Sequence, residues 1–202
     1  VDNRRFPLGT LTDTMYGFGR YKNESKTSFI RSDEILSINM SPDRFEHTYT
    51  DIDGGIRYGR TSDGRTVIQQ AGMRGCTAAA ETMIILDHGK RPDVGDFVRR
   101  NLGNSERSVN ALRQAGLDAD VVKLNNVRST DEVGRRLEQL VAEHGAGIIS
   151  VGGEIGGHVV VLDSFSLKDN RSIIRDPYHG WSITVTADAI LDRHPDSFIF
   201  IR

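Results

Sequence analysis

The sequence has little of two residues that often organise a small protein, with 1 cysteine and 1 tryptophan among 202 residues. A single cysteine excludes an internal disulfide, so the fold does not depend on an oxidising compartment. Long apolar runs are also missing. Stretches such as Val159–Leu162 and Met83–Leu86 are far shorter than the roughly 18 residues that a bilayer span needs. The sequence therefore predicts no transmembrane helix.

The chain also lacks an excess of either charge. A formal net charge of −2 gives no reason to expect nucleic acid or an anionic membrane as partner. The contents of 37% hydrophobic and 27% charged residues are those of a globular protein with one domain of ordinary size. Because the chain begins with Val1 in a polar stretch, we interpret it as a fragment or a processed form, and the sequence does not show whether a targeting segment precedes it.

The sole cysteine, Cys76, lies where glycines give way to helix-forming residues. Gly72 and Gly75 precede it, and the alanine-rich and apolar run 78–86 follows. This pattern places Cys76 in the first turn of a helix, where unpaired backbone N–H groups and the helix dipole favour a thiolate. A lowered pKa makes a cysteine reactive as a nucleophile. The alternative is a buried structural thiol, which is the commoner role of a lone cysteine.

The remaining patterns predict an arm followed by an α+β body. Residues 1–35 are polar and without periodicity, which predicts a loosely ordered arm before a body spanning 36–202. Glycine-containing turns within 45–69 predict a hairpin region. The body then divides into a helical half that carries Cys76 and an antiparallel sheet half. Helices are predicted at 77–88, 92–103, 105–116, 130–144 and 187–193, and strands at 34–39, 119–124, 146–151, 158–165, 171–175, 181–185 and 198–201. Ser105 and Thr130 are the predicted N-caps of the third and fourth helices.

A cysteine nucleophile needs a base, and the chain has 6 histidines. His158 is preferred because it opens the most apolar strand behind two glycines, and a strand end holds a side chain in a fixed position. The alternative is a histidine that caps a core strand without a partner. The other histidines are explained by helix ends, a polar hairpin or solvated turns: His88 and His144, His47, and His179 and His194, respectively.

Asp176 is the candidate acid to orient the ring of His158 and favour one tautomer. A turn around 168–170 would join two antiparallel strands and bring Asp176 beside His158. Asp163 is excluded as a direct partner, because it lies on the same strand as His158 and about 16 Å away when extended. For Asp176 the alternative is a simple turn, since Asp-Pro pairs often start one.

An oxyanion that forms on an attacked carbonyl needs hydrogen-bond donors. The backbone N–H of Cys76 at the helix start would be one donor. The side-chain amide of Gln70, six positions upstream of Cys76, would be a second, with Gln69 as the fallback. The alternative for either glutamine is an ordinary polar strand end.

The order and context of these residues resemble the papain-like cysteine peptidase superfamily. That superfamily has a glutamine six residues before a cysteine at a helix start, then a histidine on a strand and an acid or amide on the next strand. The run from Gly157 to Leu162 and the run from Ile173 to Gly180 also look like its bacterial branch, which includes bacteriocin-leader peptidases and effector toxins. The similarity covers about residues 65–185.

The resemblance implies a papain-like α+β fold and a role for each candidate residue. Cys76 would be the nucleophile, His158 the general base and acid, Asp176 the orienting acid and Gln70 the oxyanion donor. Unlike papain, the chain has no tryptophan after the cysteine. Trp181 instead follows the acid, where it would wall the site or pack in the core.

These residues predict an amide hydrolase that acts on a protein or peptide through a Cys76 thioester, with a cysteine protease favoured. A glutamine deamidase or transglutaminase-type effector shares every step up to the leaving group, and a non-catalytic protein-binding domain of the same fold is a third reading.

No cofactor is predicted, and no metal, because Cys76 and the histidines lack the paired spacings of zinc sites. The resemblance suggests a secreted or translocated effector in a reducing cytosol, and it leaves the substrate and oligomeric state open.

Overall fold

A computed structural model describes residues 30–49, 56–70, 75–92, 104–127, 129–152 and 157–202. The predicted helix 92–103, apart from its first residue, and residues 1–29 of the predicted arm lie outside the described residues. The helices are α1 (Cys76–Asp87), α2 (Ser105–Gln114), α3 (Thr130–His144) and α4 (Ala187–Leu191). The strands are β1 (Ile35–Met40), β2 (His47–Tyr49), β3 (Ile56–Arg60), β4 (Thr66–Ile68), β5 (Ala119–Lys123), β6 (Gly147–Val151), β7 (His158–Ser166), β8 (Arg171–Asp176), β9 (Trp181–Val185) and β10 (Ser197–Ile201).

Seven of these strands form one antiparallel sheet in the order β1-β9-β8-β7-β6-β10-β5. Strands β6 to β9 follow one another as a meander, and β1 joins the edge of β9 from the other end of the chain. The hairpin region forms a separate three-stranded sheet, β2-β3-β4. The predicted α+β architecture with a large antiparallel sheet is therefore confirmed.

Strand β7 runs through the centre of the molecule, and both of its faces are covered. Val159 and Val161 belong to the apolar cluster that contains α1 and α2, whereas Val160 and Leu162 belong to the cluster that contains α3 and α4. A strand that is buried on both faces has a continuous run of apolar residues instead of alternating apolar and polar residues. This explains the Val-Val-Val-Leu sequence that follows His158.

Helix α1 is buried on all sides along most of its length. Every residue from Cys76 to Ile85 is buried, so the helix has no solvent-facing stripe over its first three turns. The alanines 78–80 keep the helix thin, and Val159 and Val161 of β7 lie in the same cluster. Packing therefore fixes the position of Cys76, which is the first residue of the helix.

In α2 and α3 the N-cap is the residue before the predicted one. Asn104, not Ser105, caps α2 by accepting hydrogen bonds from the N–H groups of residues 106 and 107. Ser129, not Thr130, caps α3 by accepting from the N–H of residue 132. In both cases the cap has extended backbone angles, which allow its side chain to reach back to the first turn.

The described end of the predicted arm packs on the body. Ile30 is 2% exposed and lies in the larger apolar cluster. Glu34 is buried and pairs with Arg193, with 2.6 Å between the guanidinium Nη2 and the carboxylate Oε2. The boundary near residue 35 stays a prediction, because most of the arm lies outside the described residues. Within those residues, none of the helices is long and apolar enough to cross a membrane.

Candidate active site

Three of the predicted site residues lie at the ends of neighbouring elements. Cys76 is the first residue of α1, His158 is the first residue of β7 and Asp176 is the last residue of β8. The antiparallel pairing of β7 with β8 brings the start of one strand to the end of the other. Because α1 packs on β7, the first turn of α1 lies at the same end of these strands.

The imidazole of His158 binds the carboxylate of Asp176. The His158 Nε2 atom is 2.8 Å from Oδ1 of Asp176, and the Asp176 side chain is fully buried. Burial raises the pKa of this carboxyl, but the positive charges and hydrogen bonds of His158 and His179 outweigh burial and hold the pKa far below its usual range. An ionised carboxylate only accepts hydrogen bonds, so Nε2 of His158 carries a proton and Nδ1 is left for Cys76.

The side chains of Cys76 and His158 interact, because each shifts the pKa of the other. Burial raises the pKa of the Cys76 thiol, but the hydrogen bond and charge of His158, with the backbone N–H of Val159, lower that pKa below its ordinary value. Burial alone lowers the pKa of His158, whereas Asp176 and Cys76 raise it, to about 9. The two shifts together favour a thiolate–imidazolium pair at neutral pH.

Gln70, the predicted oxyanion donor, is hydrogen-bonded at the same end of these strands. Gln70 is buried, and its backbone N–H donates to the carbonyl of Pro177 over 2.8 Å. Pro177 follows Asp176 directly, so this bond links the segment after β4 to the turn after β8. Gln69 packs on the same turn, because a Cβ added to Gly180 would lie 2.8 Å from the Cβ of Gln69. Residues 71–74, between Gln70 and Cys76, lie outside the described residues.

The prediction that His179 is solvated is wrong. Its side chain is 5% exposed, and its Nδ1 lies 2.6 Å from Oδ2 of Asp176. The ring stacks on Trp181 with 4.2 Å between centroids and an interplanar angle of 14°. Trp181 itself is buried in the larger apolar cluster. The sequence signal was the spacing of three residues between Asp176 and His179, which lets a turn bring the ring back to the carboxylate.

His88, His144 and His194 have other surroundings. His194 is exposed, as predicted. The His88 ring follows α1, and its Nδ1 lies 2.9 Å from the carbonyl oxygen of Ile84. His144 stacks on Phe200 in the last turn of α3. The side chain of His47 is outside the described part of the chain. Among the described residues, no three histidine, cysteine or acidic side chains are grouped as a metal site would require.

Asp163 takes part in an ionic cluster of four residues around the buried Arg175, here called the Arg175 cluster, and its hydrogen-bond partners are Arg65 and Arg175. The Arg175 side chain is 0% exposed. Its Nε donates to Asp163 over 3.0 Å, and its Nη1 donates over 2.6 Å both to Asp87 and to the carbonyl of Thr66. One guanidinium thus connects β4, the end of α1, β7 and β8 next to Asp176. The cluster consists of Arg65, Asp87, Asp163 and Arg175.

The pKa shifts predict an unusual pH profile for alkylation of Cys76. Iodoacetamide reacts with the thiolate, so its rate with an ordinary thiol falls about tenfold for each pH unit below a pKa near 8.5. The lowered pKa of Cys76 should move this fall in rate to lower pH than for an ordinary thiol. The imidazolium that stabilises the thiolate is lost only as pH rises through about 9. Stopped-flow or mass-spectrometric alkylation rates check this, and a midpoint near that of a free thiol would contradict it.

Replacement of Gly180 by alanine should disturb the segment that carries Gln70. Gly180 has φ +67°, and an added Cβ would lie 2.8 Å from Gln69 and 3.0 Å from Pro42. Gly64 is a matched control because its φ is +83° and nothing lies within 4 Å of an added Cβ. Both variants should lose about 1 kcal/mol of stability from the backbone angle. Only Gly180→Ala should lose further stability, measured by urea unfolding. Equal losses in the two variants would show that the close packing of Gly180 against Gln69 and Pro42 does not matter for stability.

Two solved structures share the fold of this chain. A double glycine motif protease from an AMS/PCAT transporter, in complex with the leader peptide, has a TM-score of 0.51 and 19% identity, and the match covers 69% of this chain and 94% of that chain. The peptidase domain of Streptococcus ComA, a bi-functional ABC transporter involved in a quorum sensing pathway, has a TM-score of 0.54 and 15% identity, covering 67% and 96%. No protein-family model and no curated protein sequence matches the chain. These likenesses establish the predicted papain-like fold.

Proposed function

We propose that this chain is a cysteine-dependent amide hydrolase that cleaves a protein or peptide substrate. We base this on one connected arrangement, in which the side chains of Cys76 and His158 shift each other's pKa and His158 lies 2.8 Å from the ionised carboxylate of Asp176. A nucleophile, a base within hydrogen-bond reach and a group that orients the base are the parts that acyl transfer requires.

In the first half of the reaction, the Cys76 thiolate would attack the carbonyl carbon of the substrate amide and form a carbon–sulfur bond. The oxyanion would be stabilised by the backbone N–H of Cys76, which has no partner within the helix, and by the side-chain amide of Gln70. His158, protonated in the resting pair, would then donate its proton to the departing nitrogen as the carbon–nitrogen bond breaks. The products of this half are a free amine and a Cys76 thioester.

In the second half, neutral His158 would take a proton from a water molecule that attacks the thioester. The carbon–sulfur bond then breaks, a carboxylic acid leaves, and the thiolate and imidazolium are restored. Asp176 keeps Nε2 of His158 protonated and the ring oriented throughout, so Nδ1 is the nitrogen that exchanges the proton.

We favour peptide-bond cleavage over other amide chemistry because of the proteins with the same fold. One of them is a double glycine motif protease that was solved with a leader peptide, and the other is a peptidase domain. A synthetic peptide with a Gly-Gly pair is therefore a rational first probe. A matched peptide with alanines at those two positions tests whether the pair is recognised.

The proposal is tested by mass spectrometry of substrates in a complex mixture. Lysate incubated with the wild-type protein should show new peptide termini that are missing with the Cys76→Ala variant. Conversion of glutamine to glutamate without new termini would show that the protein acts as a deamidase and not as a protease. Identical peptide patterns with both proteins in lysate, together with intact synthetic peptides, would overturn the proposed function.

A further inference from the structure

We propose that His179 is a positioning residue, which holds the second carboxylate oxygen of Asp176 and thereby fixes the direction in which Asp176 faces His158. This inference rests on the proposed function of Cys76 and extends its site by one residue. His179 touches neither Cys76 nor a reacting atom in the proposed mechanism, so it acts through Asp176.

The two oxygens of Asp176 have different partners. Oδ1 accepts from Nε2 of His158 over 2.8 Å and from the backbone N–H of Tyr178 over 2.9 Å. Oδ2 accepts from Nδ1 of His179 over 2.6 Å. A carboxylate that is held by only one oxygen can still rotate about the Cβ–Cγ bond. With both oxygens bound, the plane of the carboxylate is fixed, and so is the line along which it meets His158.

His179 is itself held in place by aromatic rings. Its ring stacks on Trp181 at 4.2 Å and meets the Tyr178 ring edge-on at 4.9 Å with an interplanar angle of 81°. Trp181 lies opposite Asp176 in the pairing of β8 with β9 and is 3% exposed. The contacts with Trp181 and Tyr178 therefore hold the imidazole in place. It presents Nδ1 to Asp176 with little freedom to turn.

The chemistry at Oδ2 makes His179 more than a packing residue. Because Asp176 is ionised, Nδ1 of His179 must carry the proton that it shares with Oδ2. Without that donor, a buried charged oxygen would lack its partner. The carboxylate would then turn toward other donors, and its support of the His158 imidazolium would weaken. Fewer Cys76 side chains would be thiolate at a given pH.

The test compares two substitutions at His179 by the pH profile of iodoacetamide alkylation. His179→Phe keeps a ring to stack on Trp181 but has no donor, whereas His179→Asn offers an amide N–H near the position of Nδ1. We expect His179→Phe to shift the profile to higher pH and to lower the rate at mildly acidic pH on the order of 10-fold. His179→Asn should restore most of the rate. His88→Phe, at an exposed histidine outside the site, is the matched control and should leave the profile unchanged.

Asp176→Asn serves as the reference for complete loss of the charge and should shift the profile further than His179→Phe. A purely structural role would lower the folded fraction without moving the midpoint, so a His179→Phe midpoint equal to that of wild type would overturn the inference. If wild-type Cys76 itself titrated like an ordinary thiol, the proposed function would fail instead.

A second measurement does not depend on the folding of any variant. Long-range ¹H–¹⁵N spectra of the wild-type protein report which imidazole nitrogen carries the proton. We expect His179 to be protonated at Nδ1 at neutral pH. A His179 protonated only at Nε2 could not donate to Asp176, and this result would also overturn the inference.

Discussion

Replacement of either Cys76 or His158 by alanine is expected to reduce amide hydrolysis to background, a loss of about 10⁴-fold or more. Cys76→Ala removes the atom that forms the thioester, and His158→Ala removes the proton that the leaving nitrogen needs. His158→Ala should also slow alkylation of Cys76 at neutral pH, because His158 is a principal cause of the lowered thiol pKa. Initial rates of peptide cleavage and alkylation rates measure the two effects separately.

The double variant provides a stricter test of a shared mechanism. Residues that act as one unit are non-additive, so Cys76→Ala/His158→Ala should be no slower than either single variant. His88→Ala is the control, since His88 is exposed and lies one residue beyond α1. Both site variants should fold, because alanine favours the first turn of α1 and His158 is the terminal residue of β7. Full activity of Cys76→Ala on an identified substrate would rule out the thioester mechanism.

Replacement of Asp163 by alanine is expected to destabilise the protein by about 3–5 kcal/mol, because a buried guanidinium would lose its main partner. Arg175 is 0% exposed, and its Nη2 and Nε donate to the two oxygens of Asp163 over 2.9 and 3.0 Å, respectively. Arg65 also binds this carboxylate, over 2.7 Å. Removal of the Asp163 carboxylate would leave the buried guanidinium of Arg175 with Asp87 as its ion-pair partner, while Arg65 would keep its ion pair with Asp63. Urea unfolding at neutral pH measures the loss.

Asp169→Ala is the matched control for this prediction. Asp169 lies in the exposed turn between β7 and β8, and its carboxylate accepts only from Ser166 among its described partners. The control should therefore lose no more than about 1 kcal/mol. If the two variants unfolded at the same urea concentration, the Arg175 cluster would not stabilise the fold. On sequence grounds Asp163→Ala would serve as a catalytically silent control, but lost activity in that variant would report unfolding.

The sequence predicted the parts of this molecule that depend on local pattern. The change from glycines to alanines placed Cys76 in the first turn of α1, and the apolar run after His158 located β7. A short turn between two strands was enough to predict that Asp176 would come back beside His158. Each of these inferences needs only periodicity, spacing and the antiparallel return of a hairpin.

The missed features depend on contacts that local pattern does not contain. Asp163 lies where the pairing of β7 with β8 shifts register, and such a bulge changes the direction of a side chain. Its partner Arg65 is 98 positions away in the chain, so no spacing rule connects them. The local pattern indicates a solvated turn at His179, because the burial of its ring depends on stacking against Trp181. The caps at Asn104 and Ser129 were missed because a second cap-forming residue follows each of them, and only the backbone angles distinguish the two.

The position of β1 at the edge of β9 has a consequence for the order in which the chain can fold. Asn39 and Thr184 bond across 145 positions, and Glu34 meets Arg193 across 159 positions, so β1 can dock only after almost the whole chain has been synthesised. Until then, β9 is an unpaired edge whose five residues are all buried in the finished protein. Exposed edges of that kind template aggregation. The yield of refolding should therefore fall as protein concentration rises, and the losses should arise before β1 docks.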